Sequence, residues 1–100
     1  KAPSPPMHAD FSTIHNFYEQ QVVNLVSDLS ANYPLLTEDH HPDVACVALN
    51  RLPPRYIRHQ VDLAFHMTEK ERQDSEQLIH DTVVYAFEFV QARYAMRARR

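Results

Sequence analysis

The chain of 100 residues contains no glycine at all. Loops that cradle phosphate or expose a nucleophile need left-handed backbone, which glycine adopts at least cost. A Gly-rich nucleotide loop is therefore excluded, and helices must end at proline, at Asn or by fraying. Cysteine is nearly absent too. The single Cys46 rules out an intrachain disulfide and a Cys-rich zinc site. No apolar run reaches the 18 residues of a membrane span. No charged start followed by an apolar stretch marks a secretory signal, so a cytoplasmic location is expected.

Basic residues are scarce in the first half, where Lys1 stands against Asp10, Glu19, Asp28, Glu38, Asp39 and Asp43. Arg51, Arg55 and Arg58 then fall in a ten-residue stretch with no acid, and Arg93, Arg97, Arg99 and Arg100 close the chain. A net charge of −3 with two local basic patches points to selective anion contacts and not to a nucleic-acid coat.

What is present reads as one small domain of mostly helical type over residues 10–97. Residues 1–9 form a proline-rich, disordered lead-in, and 98–100 a basic tail. Phe11, Ile14, Tyr18, Val22, Leu25 and Leu29 recur at helical spacing, which predicts a first helix over about 12–32 that stops before Tyr33-Pro34. Pro42 suits the start of a second helix, with Asp43 in its first turn and Val44, Val47 and Ala48 on one face. Leu52 must leave the helix before Pro53-Pro54, a rigid hinge. Residues 57–67 alternate with a period of two. That is either a strand pairing with its copy across a homodimer, since no partner strand is evident, or an extended or helical link. A last helix begins at a Thr68–Glu71 capping box or nearer Ser75. Its apolar residues from Leu78 to Tyr94 cover more than one stripe, which predicts burial on most sides, as core and as subunit interface. The expected fold is all-α: a bundle of about three to four helices with a proline hinge and a short extended segment, homodimeric.

The chemistry concentrates in Asn50, Arg51, Pro53, Pro54, Arg55, Tyr56 and Arg58. A guanidinium binds phosphate in a forked geometry and reads guanine N7 and O6 the same way. Its flat face, like a tyrosine ring, stacks on purines. The plainer alternative is a helix stop with solvated arginines and Tyr56 in the core. Catalysis is not expected: no Ser-His-acid arrangement or carboxylate pair stands out, and Cys46 reads as a buried, inert thiol. His40 and His41, with Asp39 and Asp43, form a local donor cluster, but zinc needs about four converging ligands, and a solvated acidic loop is the simpler reading.

The stretch Asp43-Val44-Ala45-Cys46-Val47-Ala48-Leu49-Asn50-Arg51-Leu52-Pro53-Pro54-Arg55-Tyr56 resembles the central motif of the ComFB family, named for late competence development. The resemblance implies a helical, dimer-forming bacterial protein of the cytoplasm and a receptor for cyclic dinucleotides, chiefly cyclic di-GMP. Asn50, Arg51, Pro53, Pro54, Arg55 and Tyr56 occupy the motif; Arg58 is added on charge and proximity. Some relatives carry zinc-associated cysteines before the motif. Here that connector is Thr37-Glu38-Asp39-His40-His41-Pro42, so no metal and no cofactor are expected. The leading expectation is a cyclic di-GMP receptor acting as a homodimer on an unknown downstream protein. The alternatives are a ligand-free adaptor dimer in a competence- or motility-type pathway and a nucleic-acid accessory factor using the Arg-rich tail.

Overall fold

The computed structural model describes residues 9–59 and 66–98. The lead-in up to residue 8, the last two residues of the tail and positions 60–65 of the alternating stretch lie outside the described residues.

The first helix is shorter than its apolar spacing suggests. Helix α1 runs Tyr18–Leu29 and continues as a 3-10 turn, Ser30–Asn32. The residues before it fold otherwise, because polar side chains there bind the backbone locally and compete with helix formation. Asp10 accepts the Ser12 N–H at 3.0 Å, and Ile14 N–H closes a turn on the Phe11 carbonyl at 3.1 Å. Phe11 and Ile14, expected on the buried stripe, are exposed. His15–Asn16 instead form a short strand, β1.

Helix α2 spans His41–Arg51 with Pro42 in its first turn. Leu52 caps it in extended conformation, as the following proline demands, while its N–H still reaches the Ala48 carbonyl at 3.2 Å. Tyr56–Ile57 form β2, which pairs antiparallel with β1: His15 opposes Ile57 and Asn16 opposes Tyr56. The expectation that no partner strand exists in this chain was therefore wrong. The partner is too short and polar to carry a two-residue period.

Helix α3 runs Glu69–Ala98. The capping box forms: Thr68 Oγ1 accepts the Glu71 N–H at 3.0 Å, and Glu71 Oε1 accepts the Thr68 N–H at 2.9 Å. Arg72 bridges Glu69 and Glu76 on the exposed first turns, and its hydrogen bond holds the Glu69 carboxyl below the ordinary carboxylate range. No described residue has a positive φ, in keeping with a glycine-free chain.

The three helices pack together around one core, with α2 against α3 and α1 against both. Tyr18, Val22 and Val26 of α1 meet Val44 and Ala48 of α2 and Ile79, Val83, Ala86, Phe87 and Val90 of α3; Leu36 and Leu52 close the two ends. Phe87 is fully buried and stacks on Tyr33 with ring centroids 4.4 Å apart. Within one chain α3 is buried along one stripe only. Leu78, Tyr85, Phe89 and Tyr94, expected inside, are exposed. Among the described residues, α1 and α2 both pack on that one stripe and leave the rest of α3 uncovered. No helix among the described residues is long and apolar enough to cross a membrane.

Candidate ligand-binding surface

The proline hinge begins at Leu52, whose side chain is buried and anchors the end of α2. Pro53 and Pro54 follow on the surface. The backbone beyond them is fastened to the start of α1. Phe17 N–H donates to the Arg55 carbonyl at 2.6 Å, and Arg55 N–H donates to Asn16 Oδ1 at 3.2 Å. The same Asn16 oxygen accepts the Tyr18 N–H at 3.2 Å, so one carboxamide ties the first turn of α1 to the motif.

Because the backbone is held from behind, the side chains face solvent. Asn50, Arg51, Pro53, Pro54, Arg55, Tyr56 and Arg58 are all exposed, Tyr56 by 68%. The alternative that buries Tyr56 in the core is thereby overturned. The Arg51 guanidinium lies 4.1 Å from the centre of the Tyr85 ring, and that of Arg55 lies 6.0 Å from the Phe17 ring. Arg58 Nε donates to Thr13 Oγ1 at 3.3 Å. Among the described residues no carboxylate pairs with any of the three. A guanidinium resting on a ring keeps its N–H edges and outer face available for an oxyanion or a purine. The motif thus forms an open surface of cations, with Arg51 and Arg55 over aromatic rings and Arg58 on the Thr13 hydroxyl.

Asn16, Phe17, Thr13 and Tyr85 were not singled out from sequence. An Asn just before a helix is a common cap and could have drawn attention to Asn16. Nothing local marks Tyr85, which reaches Arg51 only through the packing of α2 on α3.

The histidine connector does not gather a metal set. His40 Nδ1 accepts the Thr37 N–H at 2.9 Å, and its ring meets Tyr94 edge-on at 4.9 Å. The His41 ring turns instead toward Phe87, with Nε2 buried and unpartnered. Among the described residues no three His, Cys, Asp or Glu side chains converge. Cys46, expected to be buried, is exposed and lines a cleft of about 300 Å³ with Asp43, Val47, Val90, Arg93 and Arg97. It stands off the α2 face that carries Val44 and Ala48.

No curated protein and no solved structure matches the chain. The family model described as late competence development protein ComFB matches residues 15–94, from β1 through the hinge motif to near the end of α3. By that match over most of its length, the chain belongs to the ComFB family.

Proposed function

We propose that this protein is a cyclic di-GMP receptor that acts as a homodimer by binding, without catalysis. One observation carries the reading: Arg51, Arg55 and Arg58 project from a backbone clamped by Asn16, two of them rest on aromatic rings, and none is paired with a carboxylate among the described residues. Cyclic di-GMP offers two phosphates and two guanines, the groups a guanidinium fork binds best. Exposed Tyr56 supplies a ring for stacking. The prolines and the Asn16 clamp lower the ordering cost of the bound state.

Isothermal titration of the full chain with cyclic di-GMP, and in parallel with cyclic di-AMP, tests this. A hydrogen bond to a charged group is worth about 1.5–3 kcal/mol, so Arg51→Ala and Arg55→Ala should each weaken binding by about 10- to 100-fold. Both side chains are exposed, so far-UV circular dichroism should not change. Absence of wild-type binding refutes the receptor reading. Equal affinity in both variants refutes the site.

A further inference from the structure

We infer that the cleft between α2 and α3 is a modification site, where Arg93 and Arg97 draw in an acidic, low-molecular-weight disulfide and half of it passes to Cys46. The cleft lies apart from the hinge motif, and its chemistry is independent of cyclic di-GMP.

Each helix lends one ridge to this cleft. Asp43, Cys46 and Val47 lie three and four residues apart on one side of α2, and Val90, Arg93 and Arg97 do the same on α3. Val90 is buried and Val47 half-buried, so the floor is apolar. Asp43, Cys46, Arg93 and Arg97 are exposed around it. The volume of about 300 Å³ sits at the small end of ligand sites and suits a group the size of a tripeptide.

Charge defines the occupant. Arg93 lies 5.7 Å from the Phe89 ring, and neither it nor Arg97 meets a carboxylate among the described residues. Two unneutralised guanidiniums beside one thiol favour a molecule with two carboxylates. Asp43, on the opposite helix, supplies one negative charge for an ammonium. Each half of glutathione disulfide carries two carboxylates, one ammonium and one sulfur, and so matches the cleft in number and in sign. A neutral disulfide leaves both arginines unused, and a cationic one is repelled by them.

The exchange is complete with these two reactants. The Cys46 thiolate attacks one sulfur of the disulfide, a new S–S bond forms as the old one breaks, and the departing thiolate takes up a proton. Cys46 is oxidised and the released thiol is reduced. The arginines act on the encounter by concentrating and orienting the anionic disulfide, so their effect depends on the charge of the reagent.

Mass spectrometry of the full chain during reaction with glutathione disulfide, neutral 2-hydroxyethyl disulfide and cationic cystamine tests this. Rates are normalised to those of N-acetylcysteine amide, a free thiol without charged neighbours. Cys46 should prefer glutathione disulfide over the neutral reagent by about 10-fold or more, with cystamine slowest. Arg93→Gln with Arg97→Gln should abolish that preference and leave the neutral rate unchanged. At 1 M salt, where screening acts within about 3 Å, the wild type should lose the preference without any substitution, which keeps the test valid if the double variant unfolds. Equal normalised rates for the three reagents overturn the inference. So does a preference that survives the arginine substitutions or high salt, and so does a Cys46 that takes no adduct.

Discussion

Removing the Asn16 carboxamide is the most direct way to ask whether the motif is held by the start of α1. Its Oδ1 accepts two backbone N–H groups, those of Tyr18 and Arg55, each at 3.2 Å. In Asn16→Ala both donors lose their partner. Each such bond contributes about 1 kcal/mol net, and the site is only half-buried, so water can satisfy part of what is lost. The expected loss is about 1–2 kcal/mol. For a domain of this size that lowers Tm by roughly 5–15 °C. Asn16→Asp keeps an acceptor at the same place, beside the positive end of α1, and should lie within about 0.5 kcal/mol of wild type. Urea titration followed by far-UV circular dichroism, with the slope m compared across the three proteins, measures both. An alanine variant with the wild-type midpoint would refute the clamp. An aspartate variant as unstable as the alanine one would show that the side chain acts through packing and not as an acceptor.

Two further outcomes follow from the core. Phe87→Ala removes a fully buried ring that stacks on Tyr33, and should cost about 3–5 kcal/mol by thermal or urea unfolding, a large part of the stability of a small domain. The Tyr33 hydroxyl is held above its ordinary pKa by burial first and by the nearby Glu88 charge second. The fold favours the neutral phenol while the unfolded chain ionises near pH 10. This contribution is therefore complete below about pH 10 and is lost as pH rises through the folded value. Tyr33→Phe should flatten that alkaline loss in a stability-against-pH series and remove the late-titrating component of the absorbance at 295 nm.

Much of the local structure could be read from the chain because it depends on neighbours in sequence. Pro53 forces Leu52 out of the α region whatever the rest of the chain does, and Thr68 and Glu71 close their capping box within one turn. The buried faces of α1 and α2 appear in the spacing of Tyr18, Val22 and Val26 and of Val44 and Ala48. The motif from Asn50 to Arg58 stood out by its composition alone, since three arginines, one tyrosine ring and consecutive prolines sit side by side.

Only the tertiary structure decided where those groups point and what holds them. Helical spacing carried Phe11 and Ile14 into a helix they do not join, because the Asp10 and Asn16 side chains take over backbone N–H groups there. The pairing of β1 with β2 joins residues about forty positions apart, and two-residue strands leave no periodic trace. The contact of Arg51 with Tyr85 and the exposure of Cys46 follow from how α2 lies on α3. Sequence spacing records which residues share a face of one helix. It carries no record of which face another helix covers, and on α3 that difference separates the stripe buried in the core from the stripe left in water.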